Sequence, residues 1–133
     1  MLFGDGDTNR RLKEKVLPPF GVTFIFPQLA GLGHSAMARR FAIASREEAV
    51  AYLGHAVLGA RLKECTALVK TIEGRTARKI LGSPDDLKFQ SSMTLFNAVS
   101  SDPGFSAAIA KFYGGRPDQR TLDRLLPGGT RLA

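Results

Sequence analysis

A polar side chain set among apolar neighbours on a helix is a first candidate for chemistry, because burying it without a partner costs about 1–3 kcal/mol. Lys88, Ser91 and Ser92 are three such residues. On a projection of 100° per residue with Leu87 at zero, Ala98, Leu95, Val99, Phe96, Phe89 and Met93 spread over about two thirds of the circumference, and the lysine and both serines fall inside that sector. Arg61 raises the same question in the segment 57–72, within an arc otherwise made by Val57, Leu58, Leu62, Cys65, Leu68, Val69 and Ile72. A guanidinium there can clamp an anion through two parallel hydrogen bonds. A polar pocket floored by the first helix would use these groups together. Ordinary packing offers another account: the serines bond back to carbonyls one turn earlier, Lys88 snorkels from the first turn, and Arg61 reaches solvent or pairs with Asp85, Asp86 or Glu73.

Gly31-Leu32-Gly33-His34-Ser35 leads into a helical pattern, and amides freed by glycine at a helix start attract anions. Its spacing matches neither the dinucleotide fingerprint nor the phosphate loop with its lysine. Gln28 ahead of this turn and Ser35 at its end complete the candidate ligand-binding set of Gln28, Ser35, Arg61, Lys88, Ser91 and Ser92. Catalytic residues are not assigned. His34 and His55 stand in no triad order, no zincin motif and no paired Cys–His spacing, so both read as turn or capping residues. No metal site and no cofactor motif is expected. Cys65, the single cysteine, lies inside the apolar arc and reads as a buried structural thiol.

The formal charge is +7, from 19 basic and 12 acidic residues. The bases are dispersed along the chain apart from Arg10, Arg11, Lys13 and Lys15, which reads as a solvated basic surface and argues against nucleic acid. No apolar run approaches the roughly 20 residues that cross a membrane, and residues 1–15 lack the apolar core of a secretory signal. With one cysteine and no internal disulfide, the expectation is a cytoplasmic protein not bound to membrane; the sequence leaves the oligomeric state open, with a monomer slightly favoured.

The elements that must position these residues are helical. Residues 1–19, interrupted by Gly4, Gly6, Pro18 and Pro19, read as a poorly ordered arm; a single helical domain spans 20–127, and 128–133 form a flexible tail. Phe24-Ile25-Phe26-Pro27 is too short to separate a strand from a buried extended segment. Ser45-Arg46-Glu47-Glu48 is a capping box, with Glu48 reaching back to the Ser45 amide. Ser83 caps a helix that Pro84 opens and that runs to about Val99. Phe105, Ile109 and Phe112 repeat behind Asp102-Pro103 and stop at Gly114-Gly115; a last helix runs from about Asp118 to Leu126. These signals predict an all-α, compact multihelical single domain of about six or seven short helices, roughly 60% helical, with a short extended segment near its start.

The run Phe24-Ile25-Phe26-Pro27-Gln28 with Gly31-Leu32-Gly33-His34-Ser35 resembles the signature of domain of unknown function family 1810. The likeness continues through Tyr52-Leu53-Gly54-His55, Val57-Leu58-Gly59 and Arg61-Leu62. It is strongest at Ser83-Pro84-Asp85-Asp86-Leu87-Lys88 with Ser91-Ser92-Met93-Thr94-Leu95-Phe96, and ends with Phe112-Tyr113-Gly114-Gly115 and Asp118. The resemblance implies a compact all-helical domain and supplies no activity, substrate or cofactor. This chain departs from the family in one place: Phe20-Gly21-Val22-Thr23 stands where relatives carry a His-Trp-Met-Trp-like stretch, and there is no tryptophan at all.

Three functions remain in order of preference. The first is a domain that binds a small polar or anionic metabolite, with any enzymatic reaction unassigned. The second is a protein-interaction adaptor using an exposed helical face. The third is nucleic-acid binding through the arm Arg10 to Lys15.

Overall fold

Local capping accounts for where most of the helices begin and end. The computed structural model describes residues 25–33 and 36–125, apart from the side chains of Met37 and Ala38. The expected arm 1–19, the tail 128–133, and His34 with Ser35 lie outside the described residues. Seven helices follow: α1 (Ala36–Phe41), α2 (Arg46–Gly54), α3 (Leu58–Lys70), α4 (Ala77–Leu81), α5 (Asp85–Ala98), α6 (Pro103–Tyr113) and α7 (Gln119–Arg124). Of the described residues 65% are helical and none is in a sheet, as the all-α reading required. The extended element is a single parallel bridge between Leu29 and Ile43, closed by Ile43 N–H donating to the Gln28 carbonyl and Ala30 N–H donating to the Ile43 carbonyl, each at 2.8 Å.

Asp102 caps α6 by accepting from Gly104 N–H at 2.8 Å, Pro103 takes the first turn, and Gly114 closes the helix at φ 63°. Ser45 Oγ accepts from Glu48 N–H at 3.1 Å, but the Glu48 carboxylate reaches one residue past the expected Ser45 amide, to Ala44 N–H at 2.7 Å. Ala44 directly follows Ile43, the residue paired in the bridge, so its amide is left for the carboxylate to meet. The expected Ser83 cap is also displaced. Ser83 is exposed, Pro84 occupies the cap position without a side-chain bond, and the Gly82 carbonyl accepts from Asp86 N–H at 2.9 Å in its place. That shift follows from α4, which the sequence pattern did not reveal: Thr76 caps it through Lys79 N–H, and it ends at Gly82 immediately before α5.

The core is organised on α5, which packs against α2, α4, α6 and α7. Six consecutive residues, Ser91 to Phe96, are all buried, so every side of this stretch is covered. Phe89 meets Phe26 edge-on at 4.7 Å and Phe112 at 6.3 Å, while Phe96 lies 5.5 Å from Tyr52 and 5.9 Å from Phe105. The arc expected on α3 is rotated. Leu58 and Leu62 are buried with Thr66, whose hydroxyl approaches Met93 Sδ at 3.9 Å, whereas Leu68 and Val57 are 59% and 44% exposed.

Gly59 sets how closely α3 follows α2. A Cβ there would stand 2.0 Å from the Leu53 carbonyl oxygen, a backbone atom that cannot rotate away. Substituting Gly59→Ala should therefore destabilise the fold by about 2 kcal/mol or more, seen as a lower urea midpoint at unchanged m-value. An unaltered midpoint would mean that the two helices separate without cost.

Candidate functional site

The extended segment that carries Gln28 is fastened on two sides. Its backbone pairs with Ile43, and Phe26, two residues earlier, packs on Phe89 of α5. Gln28 is 7% exposed, and its Oε1 is buried with no hydrogen-bond partner. On α5, three residues beyond Phe89 and so on its side of the helix, Ser92 is fully buried and its Oγ likewise has no partner. One turn further, Phe96 meets Tyr52 of α2.

Tyr52 brings charge to this junction. Burial drives its phenol well above the ordinary value, Arg61 on α3 pulls it down, and Cys65 and Glu48 push it up again. The four groups therefore lie within electrostatic reach of one another through Tyr52. Glu48 is itself 1% exposed, one oxygen held by Ala44 N–H. Glu48 and Tyr52 of α2 with Arg61 of α3 thus form a polar seam, and the segment carrying Gln28 is tied to it through the backbone, its Gln28 carbonyl accepting from Ile43 N–H one residue before Ala44.

The six residues singled out from the sequence thus divide. Gln28 lies in the segment that Phe26 anchors on α5, Ser92 is buried on α5, and Arg61 acts on Tyr52 from α3. Lys88, half-buried one turn before Ser92, lies 4.0 Å from Asp85 as an i, i+3 ion pair. Ser91, about 100° round the helix from Ser92, is satisfied. Its hydroxyl donates to Asp118 Oδ2 at 3.0 Å, the oxygen that also accepts from Thr121 Oγ1 at 2.6 Å and Thr121 N–H at 3.3 Å. Thr94 joins the same lock, accepting from Asp118 N–H at 2.8 Å and donating to the Gln90 carbonyl. Ser35 falls outside the described residues.

Glu48 and Tyr52 were not among the sequence candidates. Glu48 has an obvious capping role that masked it, and an aromatic in an apolar stripe carries no sign of what will lie beside it. His55 does what its position suggested: its Nδ1 accepts from Val57 and Leu58 N–H at 3.1 Å each, at the start of α3. Among the described residues no group of three or more His, Cys, Asp or Glu side chains could hold a metal ion, and no helix is long and apolar enough to cross a membrane. Elsewhere, Tyr113 donates its hydroxyl to the Asp86 carbonyl, and burial followed by the Asp86 charge raises its phenol well above the ordinary range. Asp86 Oδ1 is another buried oxygen without a hydrogen-bond partner.

A family model described as Protein of unknown function (DUF1810) matches residues 20–125. The solved structure of the conserved hypothetical protein Rv1873 from Mycobacterium tuberculosis is similar, at 46% identity and a TM-score of 0.78, covering 90% of this chain and 89% of that one. No curated protein matches the chain.

Cys65 is half-buried rather than fully enclosed, because α3 turns its Leu58–Leu62–Thr66 side inward instead. Desolvation, then Glu64, raises its thiol above the usual value, with Arg61 opposing. Less thiolate forms at neutral pH, so a disulfide reagent should label native protein more slowly than a free cysteine, with the rate rising through a midpoint above the ordinary thiol range. A native labelling midpoint below that range would show that Arg61 outweighs burial.

Proposed function

The chain belongs to the DUF1810 family, and we propose that within it this domain binds a small polar or anionic metabolite where the 25–33 segment, α2, α3 and α5 meet. The observation that carries this reading is the pair of unpartnered buried groups, Gln28 Oε1 and Ser92 Oγ. Each costs the fold about 1–3 kcal/mol when left unbonded, and a ligand that hydrogen-bonds to both recovers that energy on binding. The amide of Gln28 offers both donors and an acceptor, and the Ser92 hydroxyl either donates or accepts, so together they suit a polar group of mixed character. Positive charge comes from Arg61 and from Lys88, whose ammonium has three donors and can meet an acceptor in addition to Asp85. Ser91 and Asp118 contribute by fixing the rotation of α5, which sets the direction of Ser92 and Lys88. No reaction is assigned to the site.

Adaptor function is supported by a different feature. Val57 and Leu68 are both largely exposed, and eleven residues of helix, about three turns, bring them back to one line on α3. Val50 and Leu87 are exposed elsewhere. Binding of a partner protein there would leave the seam untouched.

A ligand-observed NMR screen of polar metabolites against the intact chain tests the proposal. Replacing Lys88→Met should weaken anionic hits about tenfold, which is roughly 1.4 kcal/mol, while neutral hits and the melting temperature change little. Ser92→Ala removes an unpartnered hydroxyl, so the unliganded protein should be as stable as before or more so, yet bind every hit less tightly. Hits indifferent to Ser92→Ala and to Gln28→Leu, or a screen with no hits at all, would leave the adaptor reading in front.

A further inference from the structure

His55 joins α2 to α3 through its backbone and its ring together. Its N–H donates to the Tyr52 carbonyl at 3.2 Å, closing α2, and its carbonyl accepts from Gly59 N–H at 2.9 Å, opening the next helix. The backbone is extended, at φ −73° and ψ 135°, the conformation of a residue that caps a helix start. The ring completes that role. Its Nδ1 accepts from Val57 and Leu58 N–H at 3.1 Å each, two of the amides that a helix start leaves unmet. Val57, directly before α3, makes no side-chain cap of its own. Helix starts are ordinarily capped by Ser, Thr, Asp or Asn, whereas imidazole is the side chain that ordinarily changes charge between pH 5 and 8.

We propose that His55 is a pH-sensitive latch on the start of α3, closed while its ring is neutral and released when the ring is protonated. Two N–H groups aimed at Nδ1 require a bare nitrogen there, so the single ring proton sits on Nε2. A second proton removes the acceptor, sets a donor against two donors, and places a positive charge at the positive end of the helix dipole. All three effects act in one direction. The folded cap admits only the neutral ring, while the unfolded chain takes up the proton freely. Stability therefore rises with pH across the range in which imidazole titrates, and the contribution of the cap is lost on acidification. No ion pair holds the charged ring among the described residues. On α2, Glu48 stands seven residues back, about 10 Å along the helix, with one oxygen on Ala44 N–H, and Arg46 and Glu47 lie at the same far end. On α3, Arg61 and Cys65 act on Tyr52, and Lys63 and Glu64 are exposed. α5 meets α2 where Phe96 packs on Tyr52, and carries no titratable side chain from Phe89 to Ala98. α6 brings its lysine to the other end of α3, where Lys111 donates to the Lys70 carbonyl. Arg61 rides on the latched turn: its N–H donates to the Val57 carbonyl at 3.0 Å, and its guanidinium acts on Tyr52. The latch thus makes the placement of Arg61 depend on pH, whether or not a metabolite binds beside it.

An NMR pH titration of the full chain tests this. At pH 8, the top of the ordinary imidazole range, the ring nitrogen shifts of His55 should place the proton on Nε2. On acidification the amides of Val57 and Leu58 should move with the ring through one shared midpoint. Hydrogen exchange, corrected for intrinsic rates, should show the protection of the Gly59 and Arg61 amides falling about fivefold below that midpoint, the weight of one helix cap. In His55→Asn, where the side-chain amide can cap without titrating, that fall should be absent; His34 is present in both proteins and drops out of the difference. A proton on Nδ1 at pH 8 overturns the proposal. So do Val57 and Leu58 amides that ignore the titration of the ring, or an equal loss of protection in His55→Asn. The first two readings need only the unsubstituted chain, so a variant that fails to fold leaves the test decisive.

Discussion

A helix enclosed on every side leaves its polar groups no recourse to water, and that constraint shapes most of this domain. Between Ser91 and Phe96 the α5 helix has no solvent face. Its hydroxyls must therefore be met by neighbours, and three different solutions are visible. Ser91 is met by the carboxylate of Asp118; Thr94 bonds back along its own helix and also receives the Asp118 amide; Ser92 has no partner. The first two pin α7 to α5 and fix the rotation of the central helix. The third, Ser92, is where the fold carries an uncompensated cost.

The core has a second unusual feature. A glutamate, a tyrosine and an arginine share electrostatic contact near the centre of a small all-helical core. Burying charge in such a place is expensive and does little for stability that well-packed apolar side chains would not do better. Glu48 has one evident structural duty, holding Ala44 N–H where the extended bridge meets α2, and this ties the segment carrying Gln28 to the helix carrying Tyr52. The seam is thus held by the same bonds that hold the fold, which keeps its polar atoms in fixed relation.

The segment from Gln28 to Ile43 joins the core to α7: Gln28 is buried, and the turn at Gly31 lies against Arg124. Glycine is called for at Gly31 by its φ of 96°, and at Gly59 by the close approach of the Leu53 carbonyl.

Residue order alone determined the all-helical class, the positions of α5, α6 and α7 within a residue or two, and the suspicion attached to Ser92 and Gln28. Those features are local: caps, prolines, glycines and 3.6-residue periodicity act over a few residues and leave their mark in the chain. Periodicity misjudged α3 because an amphipathic arc states which residues are apolar, not which of them will find a partner; Thr66 was taken into the core and Leu68 left out. α4 was missed because five residues are too few to show a period. What only the tertiary structure decided was adjacency. That Ser91 meets Asp118 while Ser92 meets nothing, that Glu48 and Arg61 converge on Tyr52, and that Arg124 crosses the turn before α1 all depend on segments far apart in sequence. Nothing in the residue order records such contacts, because they are set by how whole helices rotate and pack to bury one common core.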